Sequence, residues 1–288
     1  MRLTDPGIRL TLGKADKAAA RMRHRKRIHP KVVLVSLDSD VAIIDKEPGL
    51  LSVPTPRQEK TSALEILEGY LNDRKGELTR RRFFGSPDPV KAYPVHRLDQ
   101  YTSGLLCFAF NEDARQKLIA QLRSHHFQRE YIAYGDGLSE NPNGSWVDYL
   151  QLSEDGMDQQ VIEAEDERGG ATQATTHYSV QTVFEPYNVS KLRIRLETGL
   201  KHQIRIQAAA HGMPLVGDRL YHEATRKALR KKGASLPYHF RRQALHACLI
   251  GIKHPTSQET LRVESNLPGD LQDLEARLKL PPGIEPSV

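Results

Sequence analysis

The stretch Pro94-Val95-His96-Arg97-Leu98-Asp99-Gln100-Tyr101-Thr102-Ser103-Gly104-Leu105-Leu106 sets a carboxylate, two basic side chains, two aliphatic hydroxyls and a glycine between apolar flanks. Leu105 to Phe110 continues as an unbroken apolar run, which reads as a buried strand. Asp99 therefore stands on a turn that feeds straight into the core, where a rigid scaffold can hold it still. A carboxylate in such a place needs a partner, because burying it alone is costly. The plainer reading of a lone Asp near a strand is a turn cap paired with Arg97. The rest of the chain decides between that reading and chemistry.

Working outward, Val32 to Leu37 and Val41 to Asp45 read as two strands joined by an Asp-Ser-Asp turn. Lys46-Glu47-Pro48-Gly49-Leu50-Leu51-Ser52-Val53-Pro54 follows as a rigid loop, since two prolines and a glycine exclude a regular element. Thr61 to Asp73 has Ala63, Leu64, Leu67 and Leu71 on one helical face. Asn111, followed by Glu112 and Asp113, is placed to cap a helix whose inner stripe is Leu118, Ile119 and Leu122. Phe127 to Tyr134 returns as a strand. Residues 154 to 167 read as an acidic solvated loop. Ala174, Thr176 and Tyr178 alternate as a strand, hairpin-paired with Val189 to Thr198 across Glu185-Pro186-Tyr187-Asn188. A helix is expected from about His202, ended by Gly212 and Pro214, on which His202 and Arg205 would share a face. Leu245 to Ile252 and Leu261 to Val263 are further strands. Pro268 to Leu280 is a last helix with Leu271, Leu274 and Leu278 inward.

Composition narrows the class. The 288 residues carry a formal net charge of +6 and a pI near 9.2, which points to a polyanionic partner. Three stretches, 21 to 31, 74 to 82 and 226 to 242, hold 18 of the 42 lysines and arginines, a pattern suited to tracking phosphates. The only two cysteines, Cys107 and Cys248, lie in apolar runs and read as small core hydrophobes. Without a disulfide framework or secretory signal, the cytoplasm is the expected compartment. No apolar run reaches the length of a membrane span. The phosphate loop GxxxxGK[ST], the dinucleotide fingerprint GxGxxG and the zinc motif HExxH are all missing, and the twelve histidines are scattered. Residues 1 to 31 read as a basic N-terminal extension, and 32 to 288 as one globular domain.

A second polar block, Thr198-Gly199-Leu200-Lys201-His202-Gln203-Ile204-Arg205, continues to Gly212-Met213-Pro214-Leu215-Val216-Gly217-Asp218-Arg219-Leu220-Tyr221. The two blocks together resemble one family. His96 to Leu106 matches the HRLDxxTSGLL signature of the RluA family of RNA pseudouridine synthases residue for residue. The second block is similar to that family's TGRxHQIRxH…GxPixGDxxY, with Leu200 for the usual arginine and Gln207 for the usual histidine, positions that bear on RNA contacts. Lys46-Glu47-Pro48-Gly49 resembles its KPxG loop, with Glu47 at the usual proline place. Arg129-Glu130-Tyr131-Ile132-Ala133 resembles its KxYxA motif, and Ala174, Thr176 and Tyr178 its AxTxY pattern. The resemblance covers about residues 41 to 267.

The resemblance implies an α+β pseudouridine synthase fold: a mixed, mainly antiparallel central sheet with flanking helices and a catalytic cleft. It implies Asp99 as the catalytic carboxylate, paired with Arg205, and Tyr131 packed on the uracil ring, where it helps remove the C5 proton. Arg97, His96, His202 and Gln203 would bind substrate. The partner would be a structured RNA, ribosomal or transfer RNA, met by a monomer. Uridine and pseudouridine are isomers, so neither a metal nor any other cofactor is required. A uridine in folded RNA must be flipped out, at a cost of a few kcal/mol. The alternative is a non-catalytic RNA-binding protein on the same fold, which would have no use for a carboxylate near phosphate.

Overall fold

The structure is a computed structural model that describes residues 10–11, 25–56, 61–74, 76–139, 141–153, 158–162, 170–230 and 240–281. The chain forms two compact units, Met1–Arg129 with Ala247–Asn266, and Glu130–His246 with Leu267–Val288. No composition shift or linker after Val32 marks a boundary between them in the sequence.

In chain order the first half holds β1 (Leu10–Thr11), β2 (Lys26–His29), β3 (Val32–Leu37), β4 (Val41–Lys46), α1 (Ala63–Asn72), α2 (Glu77–Phe84), β5 (Tyr93–Pro94), β6 (Ser103–Ala109) and α3 (Glu112–Arg123). There follow β7 (Gln128–Asp136), β8 (Asn143–Leu152), β9 (Gln159–Ile162), β10 (Thr172–Phe184), β11 (Val189–Leu196), α4 (Gln203–Ala210), α5 (Glu223–Arg230), β12 (Leu245–Lys253), β13 (Thr260–Glu264) and α6 (Gly269–Leu278). The α+β class and the mainly antiparallel sheet agree with expectation.

In the first unit the strand order is β2-β3-β4-β6-β12, with β13 beside β12 and β1 beside β13. β6 is buried along its whole length, which suits a strand covered on both faces. Val35, Ile43, Leu105, Cys107, Leu118, Phe127, Ile250 and Val263 share its core. Gly104, inside the signature, has φ +113, and a Cβ there would lie 2.2 Å from the carbonyl oxygen of Ala247. Only glycine lets the β6 backbone come that close. The sheet also begins earlier than Val32, because Lys26 and Arg27 already pair with Leu34 and Val33.

α1 starts on a capping box. Ser62 Oγ accepts from the Glu65 N–H, and the Glu65 carboxylate accepts from the Ser62 N–H. Ser62→Ala is expected to cost about 1 kcal/mol of stability, read from the urea midpoint; an unmoved midpoint would show the cap to be idle. Most of the basic stretch after α1 lies in the helix α2. Its Arg80 is buried and donates to the backbone carbonyls of Leu71, Asp73 and Pro87. Arg25 is spent on Asp45 at 2.7 Å. Three of the basic residues expected to track phosphate thus serve the fold, the third being Arg242, clasped by Asp270 at 2.6 and 2.9 Å. Arg21, Arg23, Lys75, Lys231 and Lys232 lie outside the described residues.

The second unit orders its strands β7-β11-β10-β8-β9, every pairing antiparallel. The hairpin between β10 and β11 turns through a 3₁₀ turn at Glu185–Tyr187 and a left-handed Asn188, φ 54. α4 packs Ile206 against Leu150 and Ala174. α6 buries Leu271, Leu274 and Leu278, and its Glu275 accepts from Tyr134 Oη and Lys191 Nζ, each at 2.6 Å. The expected acidic loop is in part the edge strand β9; apart from Asp158, the remainder, 154–157 and 163–167, lies outside the described residues. No helix among the described residues is long and apolar enough to cross a membrane.

Candidate active site

The Asp99 loop is fastened from three sides. Leu98, just before it, donates its N–H to Ser52 Oγ at 2.9 Å and accepts from the same hydroxyl at 2.7 Å. Gln100, just after it, accepts from the Gly49 N–H at 2.8 Å and from Lys46 Nζ at 3.1 Å. Thr102 donates its N–H to the Asp99 carbonyl at 3.0 Å and closes the turn. Lys46 is fully buried, and its ammonium also reaches the carbonyls of Leu50 at 2.9 Å and Glu47 at 3.2 Å. Those carbonyls compensate a lysine that would otherwise be costly to bury. The loop that carries Glu47 in place of proline is thereby tied to the residue next to Asp99. The Asp99 side chain is half-buried and Arg97 is exposed.

His96 faces inward. Its Nε2 accepts the Cys107 N–H at 3.2 Å, and its ring meets Phe127 edge-on at 5.4 Å. Burial, reinforced by the nearby charge of Arg129, pulls its pKa down to about 3, so the ring is neutral throughout the physiological range. An imidazole that must accept at Nε2 stays neutral and pins the start of the loop to β6.

In the second unit, α4 begins at Gln203. His202 lies outside the helix in a left-handed conformation, φ 56, so it does not share a helical face with Arg205 as the spacing suggested. The two meet at Tyr221 instead. His202 Nδ1 is 3.1 Å from the Tyr221 hydroxyl, and the Arg205 guanidinium lies 5.2 Å from the centre of its ring. Gln203 uses its whole amide internally. Its Oε1 accepts from the Leu200 N–H and Thr198 Oγ1, and its Nε2 donates to Thr176 Oγ1 and the Thr175 carbonyl. Gln207, one of the two departures noted in the second polar block, is fully buried. It accepts from Thr176 Oγ1 at 2.7 Å and donates to the Trp146 and Ala174 carbonyls and Asp148. That departure is a matter of core packing.

Within this unit Arg205 is held by Asp218, Nε to Oδ2 at 2.6 Å and Nη2 to Oδ1 at 3.0 Å. Such a fork is the strongest geometry for this pair. Asp218 has no exposure and also accepts the N–H groups of Leu220 and Tyr221. Burial pushes its carboxyl up, but Arg205 and the two N–H groups outweigh burial and hold its pKa below the usual range. Asp218 lies in the second polar block, but no role for it follows from the sequence alone. A GD pair before Tyr221 in the same block as Arg205 was the available signal. Gly217, φ +74, is needed because a Cβ there would meet the Arg242 carbonyl at 2.2 Å. Tyr131 is 5% exposed on β7, in register with Ile194.

Among the described residues, Asp38, Asp40 and His254 group closely enough to hold a metal ion. His254 Nδ1, however, accepts the N–H groups of Thr256 and Ser257, which leaves Nε2 as the protonated nitrogen facing Asp38. A metal-bound imidazole instead donates from its second nitrogen, so this trio is a structural pair with a neighbour.

Residues 40–210 match the family described as RNA pseudouridylate synthase. The ribosomal large subunit pseudouridine synthase D of Haemophilus ducreyi is 30% identical over 279 residues, 93% of this chain and 78% of that protein. An uncharacterised RNA pseudouridine synthase of Bacillus subtilis, YlyB, is 30% identical over 84% of this chain and 71% of its own length. The solved structure of human RNA pseudouridylate synthase domain containing 4 shares the fold, with a TM-score of 0.61 at 19% identity over 85% of this chain and 92% of that one. With residues 40–210 matching the family and 93% of its length matching a relative at 30% identity, the chain belongs to the RNA pseudouridylate synthase family and is an RNA pseudouridine synthase.

Proposed function

We propose that this enzyme isomerises specific uridines of large-subunit ribosomal RNA in the cytoplasm, with Asp99 as its catalytic carboxylate. The observation that carries the substrate class is the similarity, over 93% of the chain, to an enzyme named for the ribosomal large subunit. The fastening of the Asp99 loop supports the choice of residue, since a nucleophile or base works only when held in place. In the reaction the N1–C1′ bond of uridine breaks, a C5–C1′ bond forms, and the C5 hydrogen leaves as a proton while N1 gains one. Atoms and electrons balance without a cofactor. Arg97, exposed beside Asp99, serves an RNA phosphate, and Arg205 supplies a second cationic group. His96 and Gln203 act as braces of their loops, and His202 and Tyr221 set the surroundings of Arg205.

Mapping pseudouridines in ribosomal and transfer RNA from cells with and without the protein tests the substrate. Loss at defined large-subunit uridines is expected. Loss confined to transfer RNA would overturn the choice of RNA. Tyr131 is assigned to pack on the uracil ring and assist removal of the C5 proton. Tyr131→Phe should therefore keep RNA affinity within a few-fold and lower turnover by roughly a hundred-fold or more. Wild-type turnover in that variant would limit Tyr131 to packing.

A further inference from the structure

We propose that Tyr101 determines specificity by offering its ring as a stacking platform for a nucleobase beside the reacting uridine. The inference rests on the assignment of Asp99 given above. The signature HRLDxxTSGLL leaves two positions open, and this chain fills them with Gln100 and Tyr101. Tyr101 follows Asp99 by two residues, so their Cα atoms lie within about 7 Å. Its side chain is 49% exposed, while Leu98, Thr102 and Ser103 around it are buried.

A single exposed apolar side chain is ordinary. Tyr101 differs because the backbone beneath it is fixed on both sides. The Thr102 N–H closes a turn onto the Asp99 carbonyl, with Tyr101 inside the turn. Gln100 is locked to Gly49 in both directions, by the Gly49 N–H to its carbonyl at 2.8 Å and by its own Nε2 to the Gly49 carbonyl at 3.2 Å. Lys46 adds its ammonium to the same Gln100 carbonyl. Tyrosine has few rotatable bonds, so a ring on so rigid a base loses little freedom when it stacks.

The neighbourhood suits a nucleotide. A Cβ placed on Gly49 would lie 3.8 Å from Cε1 of Tyr101 and 3.4 Å from Nζ of Lys31, so an aromatic ring and an ammonium group both border this glycine. Ring and cation together are the recurring elements of single-strand recognition, one for the base and one for the phosphate. Flipping a uridine out of a helix deprives its neighbours of a stacking partner. A ring carried on the same turn as Asp99 is placed to cover one of those neighbours, and its fit to that base selects among uridines.

The test compares wild type, Tyr101→Ala and Tyr101→Phe in two assays. One is tritium release from a large-subunit ribosomal RNA transcript labelled at uridine C5. The other is fluorescence anisotropy with a fluorescein-labelled, uridine-rich RNA 12-mer. Tyr101→Ala should raise KM by about tenfold or more, leave kcat within about threefold and weaken 12-mer binding by a similar factor. Tyr101→Phe should restore both, and neither variant should shift the melting temperature. Wild-type KM and 12-mer affinity in Tyr101→Ala would overturn the proposal. So would a Tyr101→Phe variant as defective as Tyr101→Ala, which would credit the hydroxyl rather than the ring. If wild type releases no tritium while 12-mer binding still depends on the ring, the platform stands and the ribosomal RNA assignment falls.

Discussion

Asp99→Asn should abolish release of tritium from RNA labelled at uridine C5, a drop of at least about a thousand-fold. The change is nearly isosteric and keeps hydrogen-bonding capacity. It removes only the charge that makes the group a nucleophile or a base. The turn should survive it, because the hydrogen bond that closes the turn runs from the Thr102 N–H to the Asp99 main-chain carbonyl and does not involve the side chain. The flanking anchors at Leu98 and Gln100 are likewise main-chain. The variant should therefore fold, bind RNA and fail to turn over, and its affinity should rise slightly because a carboxylate facing phosphate is gone. Circular dichroism and RNA binding read the first two, and tritium the third. Release at the wild-type rate would remove Asp99 from the reaction.

The largest effect on stability is expected at Asp218. Its carboxylate is fully buried and accepts four hydrogen bonds, two from Arg205 and two from the backbone. Asp218→Asn keeps an acceptor oxygen for the Leu220 and Tyr221 N–H groups but removes the negative charge that holds the buried guanidinium of Arg205 in its fork. A loss of about 3–5 kcal/mol is expected, seen in urea unfolding at neutral pH. The pH dependence follows from the depressed pKa of Asp218 in the folded protein. Its contribution is fully present above the unfolded value near 3.8 and is lost as pH falls through the lower folded value. The gap between wild type and Asp218→Asn should therefore narrow only below about pH 4. Adding Arg205→Met should recover most of the stability and none of the activity, since the buried cation is then gone along with the functional group. A single variant as stable as wild type would show that Arg205 is satisfied without Asp218.

Much of this was legible in the sequence because the signals were local. Asn111 caps α3 through the Ala114 N–H, as its place before two acids suggested. Leu67 and Leu71 of α1 and Leu271, Leu274 and Leu278 of α6 are buried as their helical stripes suggested, while Leu64 is only partly buried. The turn at Glu185–Asn188 joins the expected strands. What escaped depends on pairing across distance. β9 is a strand because β8 lies beside it, and nothing in an acidic, turn-rich stretch announces that neighbour. α2 forms in a run of arginines because Arg80 finds carbonyls to cap, and no periodicity betrays such a use. Lys46 read as the start of a loop; its burial follows from the convergence of Glu47, Leu50 and Gln100. At the candidate site the motifs supplied residue names. They did not separate His96 and Gln203, which brace, from Arg97, which faces solvent.

The discontinuity of the first unit governs how the chain is made. Its core joins Val35, Ile43 and Leu105 to Ile250, Ile252, Leu261 and Val263. When a ribosome has delivered residue 129, four of these side chains do not yet exist, and β6 has no β12 to lie against. At about 5–20 residues per second, roughly 7 to 27 seconds pass before Val263 is joined to the chain. During that time β6 presents an open, almost wholly apolar strand edge, which is the setting for mispairing with other nascent chains. The second unit waits only for α6, since its β7 to β11 arrive without interruption, and is free to begin folding first. A nascent-chain protease series should therefore show residues 130–246 becoming resistant before residues 32–129, the reverse of their order of synthesis.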